Sequence, residues 1–174
     1  TRGVRWIFMQ EPILRSAWFI YPGLILSALP TLLFGLGMII GPYRYRVLSA
    51  DMQIENLPPA FEGFKIVQIS DVHAGSFYNK NAVARGVGMI NDLHPDAIFF
   101  TGDLVNDEAS EIEPFMDLFA SLKAEHGVFS ILGNHDYGDY VMWPSKEMKA
   151  ANLQRLKDLQ REMGWDLLLN EHRY

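Results

Sequence analysis

The sequence contains no cysteine. That excludes a disulfide framework and any thiolate metal site, so a metal here would have to be held by oxygen and nitrogen donors. Charge is also missing from one long stretch: from Ser16 to Tyr43 there is no Asp, Glu, Lys or Arg for 28 residues. Basic residues are outnumbered overall, and a net charge of -6 argues against a basic nucleic-acid surface.

The uncharged stretch is strongly apolar, reading Leu24-Ile25-Leu26-Ser27-Ala28-Leu29-Pro30-Thr31-Leu32-Leu33-Phe34-Gly35-Leu36-Gly37-Met38-Ile39-Ile40. It exceeds the ~20 residues a helix needs to cross a hydrocarbon core. A cleaved signal peptide would carry a shorter apolar stretch and an Ala-x-Ala-like cleavage site, whereas this one ends in Gly41-Pro42-Tyr43-Arg44. A transmembrane segment is therefore expected at about 17–41, with kinks at Pro22 and Pro30 and a small-residue face at Gly37 and Gly41. Arg2, Arg5 and Arg15 on one side and Arg44 and Arg46 on the other give a slight lean toward a cytoplasmic N-terminus. The side of the membrane and the number of passes stay open.

The domain boundary is expected near Ser49, giving a membrane-anchor region at 1–48 and a soluble domain at 49–174. Tyr45 to Leu57 alternates loosely and reads as an edge strand stopped by Pro58-Pro59. Strands follow at Phe64 to Ile69, Ala97 to Thr101, Val128 to Leu132 and Asp166 to Asn170. Between them, amphipathic helices are expected at Asn79 to His94, Glu111 to Glu125 and Lys146 to Met163. Strands alternating with helices at this period predict an α/β fold of right-handed β-α-β units on a mostly parallel sheet.

Ligands bind outside the carboxyl ends of such strands, and there three loops carry suggestive side chains: Asp71-Val72-His73, Gly102-Asp103 and Gly133-Asn134-His135-Asp136. Asp71 to Asp103 is 32 residues and Asp103 to Asn134 is 31, about one β-α-β unit each, so the chain returns to the same sheet edge every time. Asp71 and His73, two apart, point the same way in an extended segment and could chelate one ion. Asp103 could bridge two ions, and Asn134 offers a neutral carbonyl oxygen. This donor mix suits Mn, Fe or Zn, and a pair of such ions ~4 Å apart clamps a phosphoryl group and activates water.

Asp71, Asp103, Asp107, Glu108, Asp136 and Asp139 crowd these loops, and so many converging carboxylates would repel one another without cations among them. Each short motif alone has a plainer reading, Asp71 as a turn cap and His135 as a satisfied loop histidine. His94 and His126 read as helix-end and turn residues. Tyr137, Tyr140 and Trp143 could line a substrate pocket or cap a core.

Asp71-x-His73, then Gly102-Asp103, then Gly133-Asn134-His135-Asp136 resemble the first three blocks of the calcineurin-like metallophosphoesterases, over roughly Phe64 to Tyr137. With the apolar segment ahead of them, they are similar to the membrane-associated branch of that superfamily, which includes phosphodiesterases and pyrophosphohydrolases of lipid-linked substrates. The resemblance implies a two-metal site, with Asp71 and His73 on the first ion, Asp103 bridging and Asn134 on the second. It implies His135 at the substrate phosphate, as an acid or a stabiliser of charge. The expected partners are the lipid bilayer and a phosphate-ester substrate.

The family completes its site with later histidines in a Gly-His-x-His block and with a second sheet packed face to face on the first. Here the only histidine after His135 is His172. The expectation is a truncated chain holding the first half of the layered domain, with little turnover of its own even with added Mn. The competing expectation is a non-catalytic membrane protein with a degenerate phosphoesterase-like binding domain.

Overall fold

A computed structural model describes residues 17–173, and these divide after Arg46 into two units. The first holds helix α1 (Ala17–Ile40), which runs through both Pro22 and Pro30 and closes in the 3-10 turn Gly41–Tyr43. Its hydroxyls turn back on their own helix, Ser27 Oγ donating to the Leu24 carbonyl at 2.9 Å and Thr31 Oγ1 to the Ser27 carbonyl at 3.1 Å. By length and composition, Ile20–Tyr43 suffices to cross a bilayer, and its side chains are exposed. Arg2, Arg5 and Arg15, on which the expected orientation rests, lie outside the described residues.

The second unit is built on four parallel strands in the order β1 (Ile66–Ile69), β2 (Ala97–Phe100), β3 (Val128–Ser130) and β4 (Asp166–Leu167). The connections carry α2 (Lys80–Asn91), α3 (Met116–Phe119) and α4 (Lys146–Glu162). Local chemistry sets the helix starts: Asn79 Oδ1 accepts the Ala82 N–H at 3.0 Å, and Ser145 Oγ accepts the Met148 N–H at 3.2 Å.

Strands laid down in sequential order by right-handed crossovers place their helices on one face of the sheet. The alternation of burial agrees. Ile98, Phe100, Val128, Ser130 and Leu167 are buried, and Trp165 packs on Phe100 and Phe119 with ring centroids 5.2 and 6.2 Å away. The opposite face shows Ile66, Phe99 and Ile131 at 53%, 38% and 43% exposure, with a polar stripe where Gln68 Nε2 donates to Thr101 Oγ1.

Two expected elements differ. Tyr45 to Leu57 forms no strand. A strand exists only through pairing, and this run has no ladder: Val47, Leu48, Met52 and Ile54 are exposed, and Asn56 turns the chain at φ 60°. The helix expected from Glu111 to Glu125 reduces to the 3-10 turns Ala109–Glu111 and Glu113–Phe115 and the single α turn of α3. Pro114 has no N–H to give a longer helix. The apolar positions still do their packing, since Ile112, Phe115, Phe119 and Leu122 are all buried.

Candidate metal centre

The loop after β1 does not stay extended. Asp71 and His73 take left-handed backbones at φ 54° and 47°, as does Asp103 after β2 at φ 60°. Hydrogen bonds to the neighbouring loop hold them there: the Asp71, His73 and Ala74 N–H groups donate to the carbonyls of Gly102, Asp103 and Leu104 at 3.0, 3.1 and 2.9 Å. Asp71 and His73 therefore do not meet as neighbours on one pleat, and the turned backbone sets His73 Nε2 4.0 Å from Asp71 Oδ1.

The loop after β3 closes on the same point. Asp103, 9% exposed, accepts the His135 N–H on Oδ1 at 2.9 Å. Ligand atoms of His73, Asp103 and His135 lie within 4.8 Å of one another, and the two imidazoles meet edge to face at 4.6 Å. His73 Nδ1 sits 3.1 Å from Asn106 Oδ1, and His135 Nδ1 sits 2.8 Å from the Asn106 carbonyl. Both rings therefore turn Nε2 away from their supports. Asn134 is exposed, and its amide nitrogen donates to Tyr140 Oη at 2.8 Å, which leaves the carbonyl oxygen on the other side of the amide. The Tyr140 ring stacks on His135 at 4.4 Å.

Most of the acidic crowd serves the frame rather than a cation. Asp136, fully buried, accepts the N–H groups of Asp103 and Gly133 on Oδ2, both at 2.9 Å, and those of Leu104 and Val105 on Oδ1 at 2.8 and 3.3 Å. Burial pushes its carboxyl above the ordinary range, while the four donors pull the other way. Glu111 accepts the N–H groups of Asn106, Asp107, Glu108 and Gly75, and Glu108 completes a capping box with it. Asp107 accepts the Tyr140 N–H, and Asp139 pairs with Lys149. Of the six carboxylates counted in the sequence, Asp71 and Asp103 remain on the side of the histidines.

Glycines let the loops approach. A Cβ on Gly102, at φ 103°, would come 2.5 Å from the Gly133 nitrogen, and one on Gly133 would come 2.5 Å from the Asp103 nitrogen. His94 and His126 lie ahead of β2 and β3, at the other end of the strands, where the His126 ring stacks on Phe64.

Residues 64–170 match the calcineurin-like phosphoesterase family. The chain belongs to that family. Similar proteins include a transmembrane protein with metallophosphoesterase domain from Danio rerio, 26% identical over 78% of this chain and 29% of its own length. The metallophosphoesterase YkuE of Bacillus subtilis is 31% identical over 68% of this chain and 42% of its own. The UDP-2,3-diacylglucosamine pyrophosphatase LpxG of Chlamydia trachomatis is 40% identical over 49% of this chain and 27% of its own. The chain thus spans less than half the length of these curated relatives.

Within this family member, a pair of imidazoles with outward Nε2 atoms around a buried carboxylate fits the donor chemistry of a divalent metal. Asn106, Glu111 and the backbone-binding role of Asp136 went unnoticed in the sequence. The carboxylate three residues after Gly133 signals Asp136 and the Glu108-x-x-Glu111 spacing signals Glu111, while Asn106 carries no such mark.

Proposed function

We propose that the protein is a membrane-anchored, metal-dependent phosphoesterase that hydrolyses a phosphodiester or pyrophosphate bond of a lipid-linked substrate. Its anchor is the region up to about residue 48 and its catalytic domain begins at about residue 49. The observation that carries the proposal is the convergence of His73, Asp103 and His135 from three strand ends, with ligand atoms within 4.8 Å. Family membership supports the reaction class. The apolar helix supports the anchor. The name of LpxG, a pyrophosphatase of a diacylated sugar nucleotide, supports the substrate class.

Asp71, His73, Asp103 and Asn134 would hold two divalent ions of the Mn, Fe or Zn type, which would supply Lewis acidity and an activated water. The protein's own part is placement. The buried Asp103 lies between the loops with one oxygen fixed by the His135 N–H. The Asn134 amide nitrogen donates to Tyr140 Oη, and its carbonyl oxygen, on the other side of the amide, would be the ligand. His135, held at Nδ1 by a carbonyl and flanked by Tyr140, presents Nε2 as its free edge, which in the doubly protonated ring would give a proton to the leaving oxygen or stabilise charge on the phosphate.

The test is Mn(II) binding by calorimetry and hydrolysis of bis(p-nitrophenyl) phosphate and of a diacylated sugar nucleotide by the full-length protein in detergent. Asp103→Ala is expected to abolish both binding and turnover. A protein that binds no divalent metal, and whose hydrolysis survives that substitution, would not be this enzyme.

A further inference from the structure

Both histidines lean on one residue that carries no ligand role. Asn106 reaches His73 with its side chain, Oδ1 to Nδ1 at 3.1 Å, and His135 with its backbone, carbonyl oxygen to Nδ1 at 2.8 Å. A carbonyl oxygen only accepts, so each contact requires the proton on Nδ1 and leaves Nε2 as the free edge. We infer that Asn106 is a positioning residue that sets the tautomer of both imidazoles, His73 through its amide and His135 through its main chain.

Asn106 is itself tightly placed. Its N–H donates to Glu111 Oε2 at 2.6 Å, and its amide nitrogen donates to Ser76 Oγ at 3.3 Å. Ser76 Oγ lies 3.3 Å from Asn106 Nδ2 and 3.4 Å from its Oδ1, and Oδ1 is the amide atom turned to His73 Nδ1. The space is close, because a Cβ added at Gly75 would come 2.7 Å from Asn106 Nδ2. The amide has little room to swing away from the ring. Partners on the far nitrogen of a ligating histidine fix its orientation and raise its basicity, and losing one costs about 10- to 100-fold in metal affinity.

The two contacts differ in kind, and that difference makes the inference testable. Truncating the Asn106 side chain removes the partner of His73 and leaves the carbonyl that serves His135. The proposal rests on the metal-binding reading of His73, so one readout is taken without metal. In the full-length protein in detergent, with 15N-labelled histidine and no metal, long-range 1H–15N spectra report the tautomer of each ring. His73→Gln and His135→Gln assign the signals.

In Asn106→Ala, His73 is expected to shift from the Nδ1–H form to a mixture, His135 to stay as it was, and Mn(II) affinity to fall about 10- to 100-fold. Asn106→Asp, which keeps an acceptor oxygen, should return His73 to the Nδ1–H form. Asn106→Gln, which keeps the amide but lengthens the arm, should repeat the His73-only change and serves if the alanine variant does not fold. An unmoved His73, or both rings changing together, overturns the assignment. A His73 tautomer that responds while Mn(II) affinity does not would uphold Asn106 and overturn the metal role of His73 instead.

Discussion

Asp136→Asn exchanges a carboxylate for an amide of the same shape and tests what holds the three loops together. Asp136 accepts two N–H groups on each oxygen, from Asp103 and Gly133 on one and from Leu104 and Val105 on the other. An amide has one accepting oxygen. Whichever way it turns, its NH2 faces two backbone donors. Two charge-assisted bonds, each worth about 1.5–3 kcal/mol, are lost. The relief of burying a charge, visible in the upward push on the Asp136 carboxyl, returns part of that. From a gross loss of about 3–6 kcal/mol, a net loss of about 3 kcal/mol follows, or a fall in Tm of roughly 6–12 °C for a chain of this size. Thermal unfolding of the full-length protein in detergent, followed by circular dichroism, measures it. Because either orientation unties two N–H groups of the loops that carry Asp103 and His135, Mn(II) affinity should fall in the same variant. A drop in Tm under about 2 °C with unchanged Mn(II) affinity would show that the four bonds do not hold the loops in place.

Gly133→Ala puts a Cβ 2.5 Å from the Asp103 nitrogen and against its carboxylate, so Mn(II) affinity measured by calorimetry should drop at least about 10-fold, as for lost support around a metal. In the core, Ser130 Oγ donates to Gln160 Oε1 at 2.7 Å while Gln160 Nε2 has no partner among the described residues. Ser130→Ala should therefore cost about 1–3 kcal/mol in urea unfolding, and adding Gln160→Leu should recover most of it, because replacing both polar partners removes the orphan. Tyr140→Phe keeps the ring on His135 and loses the bond to Asn134; a neutral hydrogen bond of about 0.5–1.5 kcal/mol predicts Mn(II) binding roughly 2- to 12-fold weaker, with the fold unchanged by circular dichroism.

The sheet was legible because its signal is repeated and coarse. Apolar runs of strand length recur at one β-α-β period, and a parallel sheet needs little more than that. What the sequence hid is where the backbone hydrogen bonds go. Glu111 to Glu125 shows a helical apolar stripe, and its Ile112, Phe115 and Phe119 are buried as that stripe requires. Periodicity is blind to Glu111 spending its carboxylate on the preceding loop and to Pro114 breaking the ladder. Tyr45 to Leu57 has strand-like alternation without a neighbouring edge to pair with. The donor types on the loops were visible, Asp71, His73, Asp103, Asn134 and His135 among them, whereas the supports Asn106 and Asp136 look like ordinary loop residues until the folded chain brings them across.

The loops also show why donor types alone do not make such a site. Asp71, His73 and Asp103 stand in left-handed backbone conformations that cost a non-glycine residue about 1–3 kcal/mol each. Nothing local recommends them there. They persist because backbone bonds tie the first loop to the second and Asp136 ties the second to the third. The same turns swing the His73 ring and the Asp103 carboxylate out of the strand pleat toward one point, and leave the Asp71 carboxylate 4.0 Å from His73 Nε2 at its margin. The site is thus assembled by interactions that cross between loops about 30 residues apart in sequence, and the glycines at 102 and 133 matter because those crossings leave no room for a Cβ. Substitutions that spare every candidate ligand but uncouple the loops should therefore weaken metal binding even though no ligand is removed.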